Sequence, residues 1–222
     1  MLKTKFYALC LIVLFALPLF AEGPSIVLPP AQVIMEECAK NNLIPIDFQY
    51  AKSKLPAAIN KTKEVIFVDA RPARNYDEGH IPTAINIFDA KFERLYPEFE
   101  KLGLPKDVEI IAGVGRPCPM SLSDLKQFKE KGYTNLKAFV KGPVWVDGAY
   151  YQEVTIKGAK KYLGNGAIVV KYNEVDKFLK DNVDKSKKII VTGSTEPKDN
   201  YEAADKIFNA GYKMTFVFNG NL

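Results

Sequence analysis

Histidine is almost missing from this chain. His80 is the only one in 222 residues, and there is one tryptophan, Trp145. The three cysteines, Cys10, Cys38 and Cys118, are widely separated. A lone imidazole and scattered thiols argue against a zinc site, so no metal is expected. Gly113-Val114-Gly115 opens like a dinucleotide fingerprint, but Cys118 stands where a third glycine would be. No cofactor is expected. Excess charge is also small: 31 Lys and Arg against 26 Asp and Glu give +5, with both signs interspersed. That is a solvated surface, not a nucleic-acid footprint. No Pro, Ser or Gln/Asn tract suggests disorder, and 47% hydrophobic residues suit a globular chain.

Long apolar runs are absent but for one. Phe6 to Phe20 follows Lys3 and Lys5, precedes the small Ala21, and contains Pro18. It falls short of the roughly 20 residues a spanning helix needs. Residues 1–21 therefore read as a secretory signal peptide, with a periplasmic location and no stable membrane anchor after cleavage. Cleavage removes two lysines and no acid, lowering the net charge from +5 to +3. It also removes Cys10. An exported protein with two cysteines can form one disulfide, but Cys38 and Cys118 lie 80 positions apart and spacing alone cannot bring them within range.

What is present is a dense signal from Val65 to Ile87. Val65-Ile66-Phe67-Val68 is a short apolar run suited to a strand buried on both faces. Pro72 ends it after Asp69-Ala70-Arg71. Glu78-Gly79-His80-Ile81-Pro82 follows, then a second apolar run, Ala84-Ile85-Asn86-Ile87. Asp69, Arg71 and His80 thus fall near a strand's carboxyl edge, where open α/β sheets carry their sites.

DARPARNYDEGHIPTAINI closely resembles the signature of rhodanese-like domains, a strand with Asp-x-Arg and then Glu-x-Gly-His-Ile-Pro-x-Ala. Gly142-Pro143-Val144-Trp145 resembles the family's Gly-Gly-x-x-x-Trp ending, with Lys141 replacing one glycine and Trp145 one position early. The resemblance covers roughly residues 44–150. It implies an α/β fold, a mainly parallel sheet flanked by helices, with Asp69, Arg71 and His80 holding the structure.

In chain order, residues 22–43 form a leader and a short helix from Gln32 to Lys40, with Cys38 in the core. Asp47 suits the N-cap of a helix running to about Leu55. Phe92, Leu95, Phe99 and Leu102 predict an amphipathic helix over Asp89–Leu102, kinked or broken at Pro97. Val108–Ala112 and Leu136–Val140 read as strands, separated by a Gly/Pro-rich loop and a helix capped by Ser121 or Ser123 and ended by Gly132. Residues 151–222 read as a smaller α/β unit. Ile110-Ile111 stands 22 residues before Gly132-Tyr133, and Ile189-Ile190 stands 22 before Gly211-Tyr212. Either this unit is a truncated, degenerate copy of the first, or it shares only the generic strand–helix–strand pattern.

In active rhodaneses, a cysteine opens the loop after the central strand, and backbone N–H groups curl around its sulfur and favour the thiolate and persulfide. Here that position falls on Gly113 or Val114, and Cys118 lies further along. Two readings follow. Cys118 is a displaced nucleophile at a helix amino end, with Gly113, Val114, Gly115 and Arg116 binding a small sulfur-containing anion. The chain is then a sulfurtransferase or sulfane-sulfur carrier. Alternatively, the domain is a non-catalytic module that binds a partner protein or ligand. Phosphate-ester chemistry fits poorly, because Arg116 precedes Cys118.

Overall fold

The computed structural model describes residues 30–181, 183–220 and 222. The proposed signal peptide lies outside the described residues. No described helix is long and apolar enough to cross a membrane.

The first unit runs α1 (Ala31–Lys40), β1 (Ile44–Asp47), α2 (Phe48–Ile59), β2 (Val65–Asp69), α3 (Ala73–Glu78), β3 (Ile85–Asn86), α4 (Phe92–Glu100), β4 (Glu109–Ala112), α5 (Pro119–Glu130) and β5 (Asn135–Lys141). Its sheet has the order β1-β5-β4-β2-β3, with every pairing parallel. All four residues of the central strand β4 are buried: Ile110, Ile111 and Ala112 as apolar residues of a doubly covered strand, and Glu109 with its carboxylate met by Tyr50 and Lys54. Helices cover both faces. Phe48, Ala51 and Leu55 of α2 pack with Phe67, Ile111 and Phe139 on one face. On the other, Cys38 of α1, Phe92 and Phe99 of α4 and Leu125 and Phe128 of α5 pack against Val68, Ile110 and Ala138.

Three local readings need correction. Helix α2 passes Leu55 and continues through Pro56 to Ile59, because Leu55 and Ala58 both bury against the sheet. Its start is as expected, with Asp47 Oδ1 accepting from the Tyr50 amide at 2.9 Å. Pro97 sits inside α4 without breaking it. The irregularity lies before Phe92, where a short 3-10 turn covers Asp89–Lys91. Neither Ser121 nor Ser123 caps α5. Cys118 is the N-cap residue, with Pro119 at the first helical position, a place that suits proline because its missing N–H would be unpaired there anyway.

The second unit runs β6 (Gln152–Glu153), α6 (Ile156–Gly164), β7 (Ile168–Lys171), α7 (Val175–Lys180), β8 (Ile189–Thr192), α8 (Pro197–Asn209) and β9 (Thr215–Val217). Its parallel sheet has the order β6-β9-β8-β7. This repeats β1-β5-β4-β2 of the first sheet and, among the described residues, lacks only a counterpart of the edge strand β3. Phe128 and Ile207, matched by the sequence repeat, are both wholly buried.

The units share one apolar cluster, in which Leu55, Trp145, Tyr150, Tyr201 and Ile207 all take part. They also share a sheet edge. His80 makes an antiparallel bridge with Glu153, its amide and carbonyl each 2.9 Å from their partners, so the Gly-His-Ile segment borders the second sheet. Helix α6 comes close to α3. A β-carbon built on Gly158 would lie 1.9 Å from the Asp77 carbonyl oxygen, a main-chain atom that cannot step aside. Gly158→Ala should therefore cost about 1–3 kcal/mol by forcing the helices apart. Thermal melting checks this, and an unchanged midpoint would contradict it.

Candidate functional site

The carboxyl ends of β2 and β4 and the amino end of α5 meet around a cavity of about 380 Å³. Asp69, Arg71, Gly113, Val114, Arg116 and Cys118 all line it, together with Asn75, Met120, Ser121, Val146 and Asp147. Residues 45 positions apart in sequence are thus gathered at one edge by the parallel topology. Gly115 is not on the wall. Its φ is +101°, its amide bonds Phe139 O at 3.1 Å, and a β-carbon there would meet Pro143 O at 2.6 Å. It is packed against the segment leading to Trp145.

Asp69 is buried and holds Arg71 in a two-pronged pair: Nε to Oδ1 at 2.9 Å and Nη2 to Oδ2 at 2.6 Å. Arg71 Nη2 also donates to Gly79 O at 2.6 Å. The Asn86 amide braces the same turn by donating to Asp69 O and Arg71 O, each at 2.8 Å. The Asp-x-Arg element is therefore a structural clasp, and one side of its guanidinium still faces the cavity.

His80 stays away from this cavity. It is buried, stacks on Tyr76 at 3.7 Å, and donates through Nδ1 to Tyr76 O at 2.8 Å. Burial pushes its pKa below the usual value, so the ring stays neutral. Its work is structural.

The loop differs from the arrangement the resemblance implies. Gly113 has φ +116°, and a β-carbon on it would lie 2.6 Å from Phe139 O. A cysteine does not fit at 113 in this conformation. The amides of Gly113 and Gly115 are spent on Val68 O and Phe139 O. The amides of Val114, Arg116, Met120 and Ser121 make no hydrogen bond among the described residues. All four belong to wall residues. They are the donors the loop and the first turn of α5 offer to an anion.

Cys118 is 4% exposed and is a free thiol, as is Cys38, which is sealed in the core. The disulfide that two cysteines in an exported chain could have formed, left open by their spacing, is not made. Arg116 turns its Nη2 to Asp147 Oδ1 at 2.7 Å, and its Nε is buried with no partner.

A second groove joins this cavity through shared Arg71, Asn75, Val146 and Asp147, and takes Lys188 and Lys213 from the second unit. Sequence reasoning had no signal for it, since the residues come from separate units. Nor did it find Asp124. This α5 residue is wholly buried, and neither carboxyl oxygen has a hydrogen-bond partner. Burial, aided by the nearby Asp89 and Asp69 charges, pushes its pKa up to about 9.

The backbone Val114 O accepts the Trp145 amide at 2.8 Å, and the Trp145 indole donates to Tyr151 O at 2.9 Å. With Phe48, Phe67, Phe139 and Tyr150 around it, Trp145 clamps the loop to the core from behind.

Parallel α/β order and a loop site at the carboxyl edge define a broad class of fold. Residues 51–144 match the family model of the rhodanese-like domain, and the chain carries such a domain. No curated protein matches the chain. Among solved structures, similarity extends to the BH2092 protein of Bacillus halodurans, at 24% identity over 50% of this chain and 76% of that one, with a TM-score of 0.37. A thiosulfate sulfurtransferase of Pseudomonas aeruginosa aligns at 11% identity over 86% of this chain and 46% of its own, with a TM-score of 0.38. The match thus spans less than half of that enzyme. Escherichia coli SseA, described among 3-mercaptopyruvate sulfotransferases, aligns at 12% identity over 81% of this chain and 99% of that one, with a TM-score of 0.27.

Proposed function

We propose that this is an exported, periplasmic sulfane-sulfur carrier or sulfurtransferase that uses Cys118 as its nucleophile. One observation carries the proposal. Cys118 sits at the amino end of the 12-residue helix α5, on the wall of a cavity that also offers four unspent backbone amides and the guanidinium groups of Arg71 and Arg116. That setting favours an anion and a persulfide sulfur. With thiosulfate as donor, the Cys118 thiolate attacks the outer sulfur. A new S–S bond forms, the donor's S–S bond breaks, and sulfite leaves with the electron pair. No external oxidant is needed, and an acceptor thiolate reverses the pattern by taking the sulfur. Lys188 and Lys213 in the adjoining groove suit an anionic acceptor.

Intact mass after incubation with thiosulfate tests this. The expected result is a reductant-sensitive gain of one sulfur atom, kept in Cys38→Ala and lost in Cys118→Ser with the fold intact. Uptake that survives Cys118→Ser overturns the assignment.

The filled space at Gly113 favours a second reading, a rhodanese-like module kept for binding. It predicts no gain from thiosulfate or polysulfide, with Cys118 still open to an alkylating probe.

A further inference from the structure

A separate cavity of about 360 Å³ lies between α2 and α8, where the two units meet. The connection that follows Trp145 forms its floor. From this cavity we propose a binding site for a small organic carboxylate with an apolar body.

Three buried tyrosines line it. The Tyr150 hydroxyl donates to Asp205, and the Tyr201 hydroxyl donates to Glu153 Oε2 at 2.7 Å. Tyr151 lies between them, with ring centroids 4.5 Å from Tyr150 and 6.5 Å from Tyr201. It is only 2% exposed, yet its hydroxyl has no hydrogen-bond partner among the described residues. The ring is buried, but the hydroxyl is not among the sealed polar atoms, so it opens onto the cavity. Here the neighbouring space is an open cavity, and a bound acceptor would complete the bond.

Two lysines and two carboxylates balance along the lining, so the class of acceptor follows from which groups are left unengaged. Asp205 is engaged by Tyr150, and Glu202 lies 3.7 Å from Lys198. Lys52 has no carboxylate partner among the described residues, and its ammonium sits 3.9 Å from the Tyr150 ring centroid. One free cation and one free hydroxyl at the same wall suit a carboxylate. Leu55, Pro56 and Ile59 of α2 supply an apolar face for the rest of the ligand. The size falls in the range of small-molecule sites, and the junction of two units is a common place for one.

The test uses phenylacetate and hexanoate as probes, with phenethylamine and benzyl alcohol as charge-reversed and neutral controls. Calorimetry reads affinity, and amide chemical shifts read location. At least one carboxylate should bind and shift residues of α2 and α8, with the amine binding at least tenfold more weakly. Tyr151→Phe and Lys52→Gln should each weaken binding about tenfold or more, with melting temperature retained. Lys198→Gln should have a smaller effect. Three outcomes overturn the proposal: no carboxylate binds; the shifts map only to the Gly113–Cys118 loop, meaning the arginine-lined cavity takes the probe; or binding is indifferent to both substitutions.

Discussion

Asp124→Asn is expected to raise the melting temperature by on the order of 10 °C at pH 7 while leaving it nearly unchanged at pH 4. The Asp124 carboxyl is wholly buried without hydrogen bonds and holds its proton up to about pH 9, against an ordinary value of 3.8. Between those values the folded chain carries a proton that the unfolded chain has lost. Stability is therefore full below about pH 4 and declines as pH rises towards 9. Each unit is worth about 1.4 kcal/mol, so three units between pH 4 and 7 cost on the order of 4 kcal/mol. Asparagine has the same shape and lacks the same partners, but it does not titrate in this range. The substitution removes the proton linkage and little else. At about 2–4 °C per kcal/mol for a chain of this size, the shift should be plain in a melting series from pH 4 to 8. His80 slopes the other way: burial lowers its pKa, so stability falls as acid protonates the unfolded imidazole. That slope is common to both proteins and cancels in the difference. Parallel stability curves would mean that Asp124 is ionised or solvated in the folded chain.

Much of the fold was legible because its elements are local. Val65–Val68 is an apolar run and Val108–Ala112 is apolar but for Glu109, and strands β2 and β4 fall on them. The 22-residue spacing from Ile-Ile to Gly-Tyr anticipated the repeated strand–helix–strand unit. Proline misled once. Pro97 read as a kink or break, but Phe92, Tyr96 and Phe99 of its helix are buried, and tertiary packing outweighs local preference. The site was legible only in part. Asp69, Arg71, Gly113, Val114, Arg116 and Cys118 line one cavity. Gly115 is packed away from it, and Arg116 is taken up by Asp147, 31 positions on. Asp124 was hidden because an aspartate between Ser123 and Leu125 reads as a solvated helix position. Its burial is set by the tertiary fold, which also brings the charges of Asp89 and Asp69 near it.

The largest gap between sequence and structure is at Gly79-His80-Ile81, which reads as a signature internal to the first unit but is paired with the second. Glu153→Ala should be the corresponding large loss, about 3–5 kcal/mol. Glu153 is part-buried, and its carboxylate accepts from three donors. These are the Thr83 amide of the first unit at 2.8 Å, the Tyr201 hydroxyl at 2.7 Å and the Asn219 side chain at 3.0 Å. The Asn219 amide also donates to the Tyr201 hydroxyl, and Asn200 donates to Asn219 Oδ1 at 3.0 Å, so the network is closed. Removing the carboxylate strands its donors, each worth about 1–3 kcal/mol when buried and unpaired. Glu153→Gln should lose part of that, since an amide NH2 must then face another donor. Because Thr83 belongs to the first unit and Tyr201 and Asn219 to the second, the loss should fall on both. A single melting transition should move down by roughly 10 °C, and amide exchange should quicken in β2 and β8 alike. Exchange that quickens only in residues 152–220 would show that the two units unfold independently and that the His80–Glu153 edge does not couple them.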